Sequence, residues 1–97
     1  MPTYVVLIDW TEQGVKDAKS TVDRYEAAVS RFEALDVRFT GIYWTLGAHD
    51  IVGVAEAPDD ETLAAALLAL AGAGNVRTTT LRAFGPDEMR GVLAKVD

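Results

Sequence analysis

Apolar residues along the chain recur with two different periods, which predict four strands and three helical regions. Residues 4–8 are apolar at both parities, a pattern typical of a central strand covered on both faces. Three further strands are predicted over residues 37–46, 51–57 and 75–84. The second and third are joined by a turn at residues 47–50, and Gly41 predicts a bulge in the second strand.

Helices are predicted in the intervals between these strands. The first begins at Thr11, a helix-capping residue, and breaks near Lys19. Beyond the break, an apolar stripe repeats at spacings of three and four: Val22, Tyr25, Val29, Phe32 and Leu35. An Ala/Leu-rich helix follows over residues 61–71, and Gly85-Pro86 starts a final helix.

The order of these elements predicts one ferredoxin-like α+β domain over residues 1–97. It is β-α-β-β-α-β followed by a C-terminal helix. Right-handed crossovers give an antiparallel sheet with strand order 4-1-3-2 and place both long helices on one face. Strand 1 is apolar on its other side too, so we expect a second copy of the chain to cover that face, in a homodimer or a larger even assembly.

Composition narrows the classes of function. The net charge is −6, from 15 acidic and 9 basic residues without a basic stripe, so nucleic acid is not expected as a direct partner. With no cysteine and one histidine, the chain has no disulfide, no zinc-type spacing and no predicted metal site. No phosphate loop or nucleophile elbow is present, so no cofactor is expected. The longest apolar run, residues 63–73, is too short to cross a bilayer, and a cytoplasmic protein without membrane contact is expected.

Candidate binding residues converge at one edge of the predicted sheet. Strands 1 and 2 end there, strands 3 and 4 begin there, and the first helix directs its N-terminus to the same edge. Two aromatic rings, an imidazole, a carboxylate and a cation therefore meet as a candidate cleft, formed by Trp10, Trp44, His49, Asp50 and Arg77. The helix N-terminus favours an anionic or carbonyl-bearing ligand.

Each of these residues also has a structural interpretation, which the sequence favours. His49 with Asp50 could form a general base and its orienting partner, but an aspartate closing a turn more often binds backbone N–H groups. The two tryptophans could line a slot or plug the end of a core. Arg77 could hold a carboxylate or be a surface charge on an edge strand. Glu56 shares the parity of the apolar residues of strand 3, which favours a paired interface carboxylate over a catalytic acid.

Several separated segments resemble the GYD-domain family, and together they cover nearly the whole chain. They are Trp10-Thr11-Glu12-Gln13-Gly14, the turn Gly47-x-x-Asp50, Glu56-Ala57-Pro58-Asp59-Asp60-Glu61, and Gly74-Asn75-Val76-Arg77-Thr78-x-Thr80-Leu81-Arg82-Ala83-Phe84. The family is named for a Gly-x-Tyr-Asp turn; here His49 occupies the tyrosine position. The resemblance implies a dimeric α/β-barrel and no settled activity. Two better-understood groups share that barrel: the effector-binding domains of leucine-responsive regulatory proteins and the cofactor-independent antibiotic-biosynthesis monooxygenases.

These observations favour a homo-oligomeric small-molecule-binding or assembly module over an enzyme. The missing catalytic motifs and the resemblance to effector-binding domains support this interpretation. The alternative is a cofactor-independent monooxygenase or isomerase of the dimeric α/β-barrel type, in which His49 would be the catalytic residue.

Overall fold

The computed structural model describes residues 1–97 and contains four strands and four helices. The strands are β1 (Thr3–Trp10), β2 (Arg38–Trp44), β3 (Ile51–Glu56) and β4 (Val76–Ala83). The helices are α1 (Glu12–Lys16), α2 (Thr21–Ala34), α3 (Asp60–Gly72) and α4 (Pro86–Leu93). A 3₁₀ turn, Ala18–Ser20, separates α1 from α2, which confirms the predicted break near Lys19.

The four strands form one antiparallel sheet in the order β2-β3-β1-β4, which is the predicted order read from the opposite edge. The fold is therefore α+β and consistent with the ferredoxin-like arrangement. The predicted bulge is confirmed, because the β2–β3 register shifts between Phe39 and Gly41.

The core lies between the sheet and helices α2 and α3. From β1, Tyr4, Val6 and Ile8 are buried, and they share a cluster with Phe32 of α2 and Leu63 of α3. Of the apolar stripe predicted for α2, Phe32 is buried, and Tyr25 and Val29 are half-buried. The two end residues of the stripe, Val22 and Leu35, are exposed. The reason is that α2 packs through Phe32, which stacks on Phe39 of β2 at a ring-centroid distance of 5.4 Å.

The connection between β2 and β3 is longer than the predicted turn and runs from residue 45 to residue 50. Thr45 and Leu46 lie in this loop and not in the strand, where the sequence pattern places them. The Thr45 backbone N–H donates to the carbonyl of Asp50 at 2.8 Å, and the Thr45 hydroxyl donates to the carbonyl of His49 at 2.6 Å. Gly47 has φ = 111°, a left-handed conformation that glycine adopts most readily.

The side of the sheet opposite α2 and α3 carries an apolar centre. We call this side the open face. Its apolar centre consists of five residues of alternate parity on three strands: Val5, Leu7, Val52, Val54 and Leu81. The C-terminal helix α4 contains no buried residue. That a second copy of the chain covers the open face stays a prediction.

Helix α1 is held against the start of β4 by a very close backbone approach. Thr11 caps α1 by accepting from the Gly14 N–H, and its hydroxyl donates to the Gly74 carbonyl at 2.6 Å. The Thr11 N–H donates to the Asn75 carbonyl at 3.0 Å. A Cβ on Gly14 would lie 2.0 Å from that carbonyl oxygen, so this seam requires glycine.

Candidate functional site

A cavity of about 160 Å³ lies between α2 and the helix-facing side of the sheet. Of the 17 residues that line it, 13 are hydrophobic. Both tryptophans of the predicted cleft are among them, together with Phe39 and Ile42 of β2 and Tyr25 of α2. We call it the aromatic cavity.

The two tryptophans are brought to this cavity by strand parity. Trp10 follows Ile8 on the helix-facing side of β1, and Trp44 is paired with Ile51, which is buried on the same side. The Trp44 indole Nε1–H donates to the Thr21 hydroxyl at 3.0 Å. The Trp10 indole Nε1 is buried and has no hydrogen-bond partner in the protein. One tryptophan is thus fixed by the fold, while the other keeps an unused donor.

Two arginines of α2 also line the cavity. Arg24 is fixed by donating to the carbonyls of Asp17 at 2.7 Å and Gly14 at 3.1 Å. Arg31 is exposed and takes part in no ion pair. No acidic residue lines the cavity, but the Asp17 carboxylate lies 3.6 Å from the Arg24 guanidinium, which leaves Arg31 as the cation of the lining without an ion-pair partner.

Asp50 joins the β2–β3 loop to the end of β1. Its carboxylate accepts the backbone N–H of Trp10 at 2.9 Å, and its own N–H donates to the carbonyl of Ile8 at 3.2 Å. The side chain therefore performs the backbone-binding role that is common for an aspartate at the end of a turn.

His49 pairs with Asp9 and not with Asp50. Its Nδ1 lies 3.1 Å from one Asp9 carboxylate oxygen and 3.3 Å from the other. The two side chains are 34% and 41% exposed, and neither residue lines the aromatic cavity. Sequence reasoning did not single out Asp9, although it is the penultimate residue of β1 and lies beside Trp10 at the same end of the sheet.

Arg77 is placed apart from the two tryptophans. In the register of β1 with β4 it lies opposite Asp9, but it forms no ion pair and does not line the aromatic cavity. It lines a second, wider groove that runs between α3 and the edge strand β4. The five predicted ligand residues are therefore near one sheet edge without forming one cleft.

Tyr4 and Arg82 lie in this second groove. The sequence indicated Arg82, like Arg77, as a possible partner for a carboxylate, and it did not single out Tyr4. The Tyr4 hydroxyl donates a short hydrogen bond to Asp60 at the start of α3. Burial, together with the hydrogen bond to Asp60, raises the pKa of the Tyr4 phenol to about 12. The Arg82 guanidinium lies 5.7 Å from the Tyr4 ring centroid and 4.7 Å from that of Phe84, within cation–π range.

The structure contains neither a metal site nor a membrane span. No group of three or more histidine, cysteine, aspartate or glutamate side chains is arranged to hold a metal ion. None of the helices has the length and apolar character needed to cross a membrane.

Comparisons with known proteins agree with the resemblance seen in the sequence. The profile described as "GYD domain" matches residues 4–93. A protein of Thermus thermophilus is 38% identical over 85 residues, which cover 87% of this chain and 90% of the relative. That relative is named "Glutamine synthetase and cystathionine beta-lyase binding protein". No solved structure matches the chain significantly. With a profile that spans almost all of its residues and a relative at this identity, the chain belongs to the GYD-domain family.

Proposed function

We propose that this chain is a non-catalytic assembly module that associates with itself through the open face of its sheet. The observation that carries the proposal is the apolar centre of that face. An antiparallel sheet with one solvated side normally places polar residues there. Here the central strands β1 and β3 present Val5, Leu7, Val52 and Val54 on the side that no helix of the chain covers.

The dimensions of the open face suit a second copy of the chain. Four strands at about 4.8 Å and about seven residues at about 3.3 Å give a flat area of roughly 450 Å². That is more than half of the roughly 800 Å² that each partner buries in a standard interface, before rim residues are counted. A twofold contact would place the same patch against itself, so the apolar centre would be self-complementary.

Charged residues border the apolar centre at both ends. Asp9 and His49 pair at one end, with Arg77 opposite Asp9. At the other end Arg38 binds Glu56 at 3.2 Å. An apolar centre with a charged rim of both signs is the usual composition of a protein interface. The Arg38–Glu56 pair also supports the interpretation of Glu56 as a paired interface carboxylate.

Self-association is tested by light scattering at micromolar concentration. We expect a mass of at least twice the 10.4 kDa chain mass for the natural protein. Val54→Asp and Leu81→Asp each place a charge on the open face and should give monomers with an unchanged circular dichroism spectrum. Leu68→Asp, on an exposed position of α3, is the matched control and should keep the larger mass. A natural protein of 10.4 kDa, or full retention of the assembly in both open-face variants, would refute the proposal.

We extend the proposal to a protein partner of the kind named for the relative, an enzyme such as a glutamine synthetase. The identity of 38% over most of both chains supports a shared partner class. The test is co-elution of the purified chain with purified glutamine synthetase from the same organism, with serum albumin as a control. Absence of a complex would refute this extension and leave self-association to be decided by its own measurement.

Catalysis by His49 is not part of the proposal. The imidazole and its Asp9 partner are each at least a third exposed, and they lie outside the aromatic cavity. Enzyme sites normally enclose the substrate in a concave pocket beside the reacting groups. Because the histidine and the cavity are separate, the alternative of a cofactor-independent monooxygenase or isomerase receives no support from the geometry.

A further inference from the structure

We propose that α4 is an exchange arm, which packs its apolar side against the open face of a second copy of the chain when the chain self-associates. Four residues form that apolar side, and we call them the α4 stripe: Met89, Val92, Leu93 and Val96. This inference rests on the proposed self-association. It deepens that proposal by naming the element that completes the interface and the surface that receives it.

The α4 stripe has the spacing of a helix that packs against a core. Its members follow one another at intervals of three, one and three residues, so they lie on one side of the helix. The opposite side carries Asp87, Gly91 and Lys95. An amphipathic helix normally buries its apolar side in its own domain. Here the four side chains of the stripe are 38–67% exposed, and no residue of α4 is buried.

The short length of α4 indicates that another surface covers it. The helix has eight residues, and Gly91 in its interior weakens it further. Isolated helices shorter than about 12–15 residues are marginal in water. Its start is well defined, because Pro86 lies in the first turn and the Glu88 carboxylate accepts the Gly85 N–H at 3.4 Å. These signals set where α4 begins, but most of its stability must come from packing of the α4 stripe.

The area of the open face indicates which surface covers the stripe. That face has a flat area of roughly 450 Å², which is short of the roughly 800 Å² that each partner buries in a standard interface. Helix α4 and the turn that continues it to Val96 are about 17 Å long, at about 1.5 Å per residue, and about 10 Å wide. In a twofold exchange each copy contributes one such segment and receives another, which adds roughly 340 Å² per copy. The exchange therefore brings the contact close to the standard size.

Helix α4 begins at the margin of the open face. Ala83 is the last residue of β4, and only Phe84 and Gly85 separate it from the helix. A Cβ on the exposed Gly85 would meet no atom within 4 Å, so no packing at this residue fixes the angle between β4 and α4. The Arg82 guanidinium binds Glu88 at 3.1 Å and keeps the start of α4 beside the sheet. The α4 stripe is therefore next to the proposed interface and within reach of a copy seated on it.

Two variants on opposite sides of α4 test the arm, with the dissociation constant of the assembly measured by sedimentation equilibrium. Val92→Asp places a charge in the α4 stripe and should raise that constant about tenfold or more, as expected for a charge in the apolar part of an interface. Gly91→Asp adds the same charge on the opposite side, where a Cβ meets no atom within 4 Å. This matched control should change the constant by less than about twofold, the range of ordinary surface substitutions.

Deletion of residues 86–97 separates the candidate occupants of the open face by the direction of its effect. If α4 packs on a second copy, the truncated chain should associate about tenfold more weakly or worse. If α4 covers the open face of its own chain, the deletion should expose that face and strengthen association. If the stripe binds an enzyme partner instead, self-association should not change. Either of the last two results would overturn the arm.

Hydrogen exchange of the α4 amides gives a second measurement. Amides of residues 89–93 should be protected in the assembled natural protein and should exchange freely in the monomeric Val54→Asp variant. Equal exchange in both proteins would also overturn the arm. A natural protein that is monomeric at every concentration would refute self-association and the arm together. An assembly that is insensitive to both Val92→Asp and the deletion would refute the arm alone.

Discussion

Replacing Gly14 by alanine should destabilise the domain strongly, although alanine is the better helix former. The added Cβ would lie 2.0 Å from the carbonyl oxygen of Asn75 and 2.9 Å from its carbonyl carbon. Ordinary contact begins near 3.4 Å, so the backbone of α1 or of the segment before β4 must move by roughly 1.4 Å. No side-chain rotation can relieve this clash, because the Cβ is fixed to the backbone of α1 and the atoms it meets belong to the backbone of Asn75.

The expected magnitude follows from what that displacement breaks. The seam contains the Thr11 N–H bond to Asn75 at 3.0 Å and the Thr11 hydroxyl bond to Gly74 at 2.6 Å. Losing both removes about 2 kcal/mol, overpacking adds about 1–3 kcal/mol, and the helix propensity of alanine returns about 1 kcal/mol. We expect a net loss of about 2–4 kcal/mol in the free energy of unfolding. For a domain of this size the melting temperature should fall by about 8–30 °C.

Urea denaturation and thermal melting measure this loss, and Gly72→Ala is the matched control. Gly72 is the last residue of α3, and a Cβ there meets no atom within 4 Å. That variant should be neutral or stabilised by about 0.4–1 kcal/mol, because it restricts the unfolded chain. If Gly14→Ala unfolds within about 0.5 kcal/mol of the natural protein, the range of ordinary surface substitutions, the close approach at this seam is refuted.

Three further predictions concern the sheet and its ends. Asp50→Ala removes the acceptor of the Trp10 N–H and should lower the free energy of unfolding, measured by urea denaturation, by about 1–2 kcal/mol. Asp50→Asn keeps an oxygen acceptor and should lower it less. Equal stability of both variants and the natural protein would contradict this role. Because the Tyr4 pKa is raised to about 12, its contribution to stability is complete below the ordinary value of 10 and is lost as the pH rises through about 12. The melting temperature should therefore fall over that window, and this step should be absent in Tyr4→Phe; an identical alkaline profile in the variant would contradict the assignment. Deletion of residues 86–97 should leave the melting temperature of the monomeric Val54→Asp background nearly unchanged, because α4 buries no residue, and a clear drop would show that the helix packs on its own domain.

Most of the fold could be predicted because its signals are local or topological. The apolar run in β1 marks a central strand, and right-handed crossovers then fix the strand order. The break near Lys19 was marked by the capping sequence at residues 20–23, which starts a new helix, and the bulge was marked by a glycine, Gly41, inside a strand. The end of β2 was misplaced because Thr45, a good strand former, uses its hydroxyl and its N–H to close the loop instead.

The candidate site was harder to predict because topology brings residues to an edge but does not say which way their side chains point. Strand direction alone brought Trp10, Trp44 and His49 together. The pleat of the sheet then separates them, since successive side chains in a strand point to opposite faces. Trp10 has the parity of Ile8 and points toward the helices, while Asp9 has the opposite parity and meets His49. Parity could have been applied to β1 from the sequence, and it would have placed Asp9 on the face opposite Trp10, whereas the direction of the His49 side chain in its loop could be read only from the structure.

This separation bears on what His49 does in a turn where the family carries tyrosine. Gly47 supplies the left-handed backbone and Asp50 binds the end of β1, so both of these turn residues have structural roles that do not involve the His49 side chain. We therefore expect a substitution at position 49 to preserve the loop. It contacts Asp9 beside the open face, on the side of the sheet away from the aromatic cavity. A change from tyrosine to histidine at this position should consequently alter the rim of the proposed self-association surface and leave the aromatic cavity as it is.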